Sequence, residues 1–151
     1  MFQIPNELKG KILHATTTQN WHTIKEAGFI STTPPSLLNS NPISHSFITS
    51  MNGICLFDFR TPNAKKCDTL FSHVPGISSQ NETVWLEIEF ESIKSDFWSA
   101  EQVVDEWRNS SNPHKRCYLH AEGACFSDIP ISAIKAVMIY ERTQDKFNPF
   151  K

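Results

Sequence analysis

The sequence predicts an α+β domain with a mixed or antiparallel β-sheet core, few short helices and long loops. Strand-like segments outnumber helical ones, and the two kinds do not alternate as they do in a doubly wound parallel sheet. Stretches rich in Ser, Asn and Pro separate several of them. At 151 residues the chain is expected to form a single domain, residues 1–151, large enough to bury one core without disulfides or metals.

The first elements are a strand and a helix. Residues 11–16 predict a short strand that ends in polar residues, and a helix is expected from about Gln19 to Ala27. A run of threonines, 16–18, offers hydroxyls that can cap the start of this helix. Gly28 is placed to end it in the left-handed conformation, and residues 29–32 should then be extended.

The middle of the chain alternates between loop and strand. Residues 36–52 predict a long loop with one helical turn, and residues 53–59 predict a strand that is apolar on both faces as far as Asp58. Residues 60–81 are loop-like again, with Pro62, Pro75 and Gly76 as breakers. Loops of this length in a compact domain usually carry function.

The second half is predicted to hold three strands and one helix. Apolar residues at every second position, from Val84 to Phe90, predict a strand over residues 83–91. Its other face is expected to be solvated; it carries Trp85, Glu87, Glu89 and Glu91. A helix is expected over Ala100–Arg108, capped by Ser99. Residues 117–126 and 134–140 predict strands, joined tightly through 128–132, and the tail after Glu141 is expected to fray.

Composition excludes several classes of protein. The 14 Lys+Arg against 16 Asp+Glu give a net charge of -2, which argues against binding nucleic acid by overall electrostatics alone. No apolar run approaches the ~20 residues of a membrane helix, and the first ten residues lack a signal core. We therefore expect a cytoplasmic protein with no membrane partner.

Cysteine usage does not favour a metal site. The four cysteines form no CxxC pair, and they are expected to be free thiols. His114, Cys117, His120 and Cys125 lie close in sequence, but buried small residues on a strand are the commoner role for cysteine. The GxGxxG, HExxH and GxSxG patterns are absent as well.

Three short segments remain that can carry chemistry. The first is His14-Ala15-Thr16 at a strand end, followed by the helix that closes with Gly28-Phe29. The second is Gly53-Ile54 at the start of a strand. The third is Glu122, a carboxylate among small and apolar residues, followed by Ile129-Pro130 and Ile134. A charge in such a strand is costly unless it has partners or solvent.

In their order and spacing these segments resemble the ADP-ribosyltransferase superfamily of the diphtheria-toxin type, over about residues 11–140. The last segment looks most like small bacterial toxins that modify nucleic acid and like RNA 2'-phosphotransferases. The resemblance implies a reaction with NAD as substrate, with Glu122 and His14 as catalytic residues. It also implies that NAD is held by residues of the first two segments and one aromatic ring: His14, Ala15, Thr16, Gly53, Ile54 and Phe57.

The chemistry suits these residue types. Cleavage of the nicotinamide–ribose bond develops oxocarbenium character on the ribose, which a nearby carboxylate such as Glu122 can stabilise. His14 would orient NAD through a ribose hydroxyl, supported by Thr16. The chain has Cys55 where the family usually has a tyrosine, and Lys65-Lys66 where a second tyrosine would stack on nicotinamide. Phe57, Phe59 or Phe71 could supply that stacking face instead.

These features predict an ADP-ribosyltransferase that modifies a macromolecule, with nucleic acid, DNA or RNA, slightly favoured over protein. Such a chain could be a bacterial toxin or defence effector with an antitoxin or immunity protein as partner. Basic residues that could line an acceptor groove are Arg60, Lys65, Lys66, Lys115 and Arg116. Two alternatives stay open: a non-catalytic module that binds NAD or a protein, and an RNA 2'-phosphotransferase. The few arginines of the first half count against the latter.

Overall fold

The computed structural model describes residues 4–33, 46–61, 74–76, 81–110 and 116–150. It confirms the α+β class, with a mostly antiparallel sheet and short helices. Most of the two predicted long loops lies outside the described residues, as do Lys65, Lys66, Phe71 and Lys115.

The described elements are nine strands and four α-helices, with 3-10 turns at 94–96 and 131–133. The strands are β1 Ile12–Thr16, β2 Phe29–Ile30, β3 Ile54–Asp58, β4 Glu82–Ile88, β5 Phe97–Trp98, β6 Glu122–Cys125, β7 Ile129–Pro130, β8 Ile134–Glu141 and β9 Lys146–Pro149. The helices are α1 Thr18–Ala27, α2 Phe47–Ser50, α3 Phe90–Ile93 and α4 Ala100–Asn109.

Seven strands form one sheet in the order β5-β6-β3-β1-β4-β8-β9, and every pairing within it is antiparallel. A second, two-stranded sheet pairs β2 with β7. β1 therefore lies in the middle of the large sheet, between β3 and β4, although it is the first strand of the chain.

Capping residues fix the ends of the two longer helices, α1 and α4, as predicted. Thr17 caps α1 by accepting a hydrogen bond from the backbone N–H of Asn20. Gly28 ends that helix at φ 89°, and its N–H donates to the carbonyl of Ile24. Ser99 begins α4 through a reciprocal capping box with Gln102.

β1 and β3 separate part-way along their length. Their ladder covers Ile12 opposite Asp58 and Leu13 opposite Phe57. Beyond this point β1 stays paired with β4 as far as Thr16, while β3 is paired with β6 back to Ile54. We call this separation the seam; it divides the sheet between two ladders that each continue on their own side.

Around Trp85 the large sheet is buried on both faces, contrary to the solvated face predicted for β4, whereas Glu91 is exposed and Glu89 is partly exposed, as predicted. Trp85 has 0 % exposure and packs with Leu13 and Tyr140, and the N-terminal Ile4 and Leu8 join the same cluster. The opposite face carries its own core; it includes Ile12, Trp21, Ile24, Leu56, Leu86 and Ile129. Segments distant in sequence thus cover Trp85, on a face of β4 that its glutamates had indicated to be exposed.

Three other predictions are wrong in their bounds. The strand predicted over 83–91 stops at Ile88, and α3 follows it. The strand predicted over 117–126 is confined to β6, because the backbone of 118–121 turns to bring two N–H groups onto the carbonyl of Tyr118. The tail does not fray within residues 146–149, since β9 pairs with β8.

Candidate functional site

A cavity of about 340 Å³ lies at the seam, beside the amino-terminal half of α1. This volume falls within the range of small-molecule sites, roughly 300–1,000 Å³. Its walls come from the end of β1, the start of β3, α1, α2 and residues 30–32. Polar side chains on these walls supply amides and hydroxyls; they are Gln19, Asn20, Thr23, Ser31, Thr32 and Thr49.

His14 reaches this cavity from β1 and bridges the seam. Its Nδ1–H donates to the carbonyl oxygen of Cys55 on β3, at 2.8 Å. Burial lowers the pKa of His14, partly opposed by that same hydrogen bond. The ring is therefore neutral at pH 7, and with the proton on Nδ1 its Nε2 carries a lone pair that can accept a hydrogen bond.

The other residues predicted from the first two segments divide into two groups. Thr16, Gly53 and Ile54 line the cavity together with His14. Ala15 does not line it; this residue is paired with Trp85 of β4 and packs against the opposite core.

Phe57 also lies away from the cavity. It is 5 % exposed, stacked on Phe59 at 5.7 Å and in contact with Trp85 and Tyr118. Phe59 is 1 % exposed. Neither ring therefore offers a free face on which nicotinamide could stack, while Phe71 lies outside the described residues.

Glu122 is 4 % exposed at the start of β6. Its Oε2 accepts the backbone N–H of Tyr118 at 3.0 Å. Burial raises the pKa of Glu122, opposed by hydrogen bonds from Tyr118 and the Cys55 thiol and by the positive charge of Arg116. A buried carboxylate with a perturbed pKa is a feature that active sites often share.

His14 and Glu122 leave the sheet from opposite faces. Leu13, Phe57 and Glu122 lie opposite one another on β1, β3 and β6, and directly paired residues point to the same side. His14 follows Leu13, so it points to the other side. Glu122 does not line the described wall of the cavity.

Cys55 connects the two residues. Its carbonyl accepts from His14, and its thiol, which leaves β3 on the side of Phe57, contacts the carboxylate of Glu122. Cys55 itself lines the cavity, as does Thr49, whose hydroxyl lies 3.8 Å from the sulfur. The carboxylate is therefore one side chain away from the cavity wall.

Sequence reasoning missed most of the polar wall. Gln19, Asn20 and Thr23 lie on one side of α1, next to Ile24, which lines the same cavity, and away from the buried Trp21. That polar stripe is visible in the sequence at helical spacing, but it also describes any solvated helix face. Nothing in the sequence signals Thr49, because α2 reaches the cavity only through the fold.

Two predicted basic residues are engaged within the structure. Arg60 donates through Nε and Nη2 to both carboxylate oxygens of Asp58, each at 2.9 Å, and lies over the ring of Phe90. Arg116 lies 5.9 Å from the ring centre of Tyr118, near Glu122. Of these two described residues, Arg116 is the one whose charge acts on Glu122.

Two features are absent from the described part of the chain. No group of three or more His, Cys, Asp or Glu is arranged there to hold a metal ion. No helix there combines the length and apolar character needed to cross a membrane.

No protein-family model matches the chain, and no curated protein matches it in sequence.

Proposed function

We propose that this chain is an NAD-dependent ADP-ribosyltransferase that acts on a macromolecular acceptor. The observation that carries the proposal is the neutral His14 at the mouth of the seam, joined through the single residue Cys55 to the buried carboxylate of Glu122. The resemblance of the same segments to that superfamily selects NAD among small molecules that a polar cavity could take.

His14 would orient the substrate. Its Nε2 can accept a hydrogen bond from a ribose hydroxyl, and its tautomer is fixed by the bond to Cys55. Thr16, also on the cavity wall, offers a second hydroxyl at the end of the same strand. The amides of Gln19 and Asn20 supply both donors and acceptors, as recognition of a base or a carboxamide requires.

Glu122 would stabilise the ribose as the bond to nicotinamide breaks. Positive charge develops on the sugar, and a carboxylate in a low-dielectric setting acts on it more strongly than one in water. The backbone N–H of Tyr118 and the Cys55 thiol keep this carboxylate oriented before the reaction. The ADP-ribosyl group then passes to the acceptor, and nicotinamide leaves.

A chain that modifies nucleic acid in its own cell would need an inhibitor. An antitoxin or immunity protein therefore belongs to this proposal as a partner, with DNA or RNA as the favoured acceptor.

A second candidate is a non-catalytic module that binds NAD or a protein partner. It is favoured by one observation: Glu122 and His14 leave the sheet from opposite faces. The RNA 2'-phosphotransferase has no comparable support, because the described cavity wall contains no Lys or Arg for a phosphate.

The test is nicotinamide release from NAD by the wild-type chain and by Glu122→Gln, with NAD binding followed by calorimetry. Release by the wild type that Glu122→Gln lacks supports the transferase. Binding without release by either protein supports an NAD-binding module. Neither binding nor release overturns the transferase and the NAD-binding module together.

A further inference from the structure

Cys55 makes polar contacts through both its backbone and its side chain. The carbonyl oxygen accepts from Nδ1 of His14 at 2.8 Å, at the point where β1 and β3 are no longer paired. Any residue at position 55 would offer that carbonyl. What distinguishes cysteine here is therefore the role of the sulfur.

The sulfur lies in a small polar group under α2. The hydroxyl of Ser46, which caps that helix, is 3.4 Å from Sγ, and the hydroxyl of Thr49 is 3.8 Å from it. The Ser46 hydroxyl donates its proton to the hydroxyl of Thr49 at 2.9 Å, so Thr49 is the hydroxyl that can donate to sulfur. The register also places Glu122 next to the sulfur, because Phe57 lies opposite Glu122 and Cys55, two residues before Phe57, points to the same side of the sheet. The S–H proton can therefore go to Ser46 Oγ or to Glu122, and a carboxylate is the stronger acceptor.

The thiol is suited to donate rather than to react. Burial, followed by the nearby charge of Glu122, raises the pKa of Cys55 well above its ordinary value. The thiol therefore keeps its proton at neutral pH. A protonated group that cannot easily ionise is a steady donor to a neighbouring carboxylate.

We infer that Cys55 is a positioning residue for the proposed transfer, holding His14 through its carbonyl oxygen and Glu122 through its thiol proton. This inference rests on the proposed function for its catalytic meaning. It assigns to a cysteine the place next to Glu122 where the resembling family usually carries a tyrosine. One residue of β3 thus fixes the orientation of both His14 and Glu122.

The test removes the thiol donor, or replaces it with a hydroxyl, and measures the effect on the pKa of Glu122. Carboxyl NMR titration of Glu122, assigned by comparison with Glu122→Gln, is run on the wild type, Cys55→Ala and Cys55→Ser. Cys125→Ala is the matched control, because that buried thiol contacts Ser127 instead of a carboxylate. Acid limbs of the nicotinamide-release pH profile are recorded for the same proteins.

Loss of the donor should raise the pKa of Glu122, since the hydrogen bond favours the ionised form. A net hydrogen bond of about 0.5–1.5 kcal/mol corresponds to a rise of about 0.4–1.1 in Cys55→Ala. Cys55→Ser keeps a donor and should leave the pKa equal or lower, and Cys125→Ala should not move it. The acid limb of the release profile should shift to higher pH in Cys55→Ala alone.

An unchanged Glu122 titration in Cys55→Ala overturns the inference. If Cys55→Ala does not fold, a raised Glu122 pKa in Cys55→Ser overturns it equally. Failure of the proposed function has a different signature: no protein releases nicotinamide. The titration then decides the contact alone, and an unmoved pKa rejects it.

Discussion

The imidazole of His14 donates to the carbonyl of Cys55 at 2.8 Å, across strands that have ceased to pair with each other. A side chain thereby replaces a backbone ladder bond at the centre of the sheet. The imidazole ring keeps Nε2 as an acceptor at this position, whereas a continuous backbone ladder would leave no acceptor there. The cavity and the proposed chemistry both depend on it.

Replacing the buried carboxylate should abolish transfer. Glu122→Gln removes the charge with little change in volume, and we expect nicotinamide release to fall by about 10²–10³-fold or more, as for loss of one electrostatic stabiliser. The measurement is release from NAD by the purified proteins. Glu87→Gln is a suitable control, because Glu87 pairs with Lys11 and Lys135 at the surface of the same sheet. Wild-type release by Glu122→Gln would contradict the mechanism.

The same variant should gain stability at neutral pH. The folded state raises the pKa of Glu122, so its contribution to stability is full below the ordinary value of 4.5 and is lost as pH rises through the folded pKa. Glu122→Gln should therefore melt above the wild type at pH 7, and the difference should vanish below about pH 4.5. A lower melting temperature of the variant at pH 7 would show that the ionised carboxylate stabilises the fold.

His14→Ala should weaken NAD binding more than it destabilises the fold. One hydrogen bond to a neutral group contributes about 0.5–1.5 kcal/mol, or a threefold to tenfold loss of affinity. Calorimetry checks this, with His22→Ala, an exposed histidine of α1, as control. Unchanged affinity with a large fall in melting temperature would assign His14 a structural role.

Binding to the wild type should also weaken in acid. The pKa of His14 is lowered from its ordinary value of 6.5, so Nε2 can accept a hydrogen bond at pH values above 6.5. It loses this ability only when the ring is protonated at lower pH. NAD affinity should be flat above pH 6.5 and decline at lower pH, with His14→Ala showing no such decline. An affinity that instead rises in acid would mean that the charged ring binds NAD.

Gly123 should tolerate no side chain. A Cβ there would lie 2.8 Å from the backbone carbonyl of Trp98, which belongs to the paired strand β5 and cannot easily move. We expect Gly123→Ala to cost about 1–3 kcal/mol, as other overpacking changes do. At Gly53 the nearest atom is the Ile48 side chain at 2.9 Å, so Gly53→Ala should cost less. Urea unfolding compares the two, and an unchanged midpoint for Gly123→Ala would refute the close approach.

The acceptor is expected to be a macromolecule rather than water, with nucleic acid slightly favoured by the resemblance of residues 122–134. A net charge of -2 gives no global attraction to phosphate, so contact with nucleic acid should depend on local lysines and arginines. Transfer to nucleic acid should therefore weaken steeply with salt. Labelled NAD is incubated with whole-cell lysate, and the products are divided by nuclease and protease digestion. Label found only as free ADP-ribose would exclude a macromolecular acceptor, and label released only by protease would assign a protein.

Predictions from sequence succeeded where the signal was local. Thr17, Gly28 and Ser99 set helix ends through contacts within four residues, and a short-range pattern suffices to find them. The burial of Trp85 could not be found this way, because Ile4, Leu8 and Tyr140 cover it from distant parts of the chain.

The site was predicted only in part for the same reason. His14, Thr16, Gly53 and Ile54, which come from two separate motifs, line one cavity. The opposite orientation of Glu122 depends on the register between β3 and β6, which no single segment encodes. Thr49 and Cys55 joined the site through that register and the position of α2.

The seam also bears on how the molecule fluctuates. Past Leu13, the ladder of β1, β4, β8 and β9 and the ladder of β3, β6 and β5 share no mutual pairing. We therefore expect each half of the sheet to open on its own. A ligand that binds across the seam would contact both halves of the sheet and hold them together. At a hundred times its dissociation constant it would add about 2.7 kcal/mol, and amide hydrogen exchange would slow in both halves together.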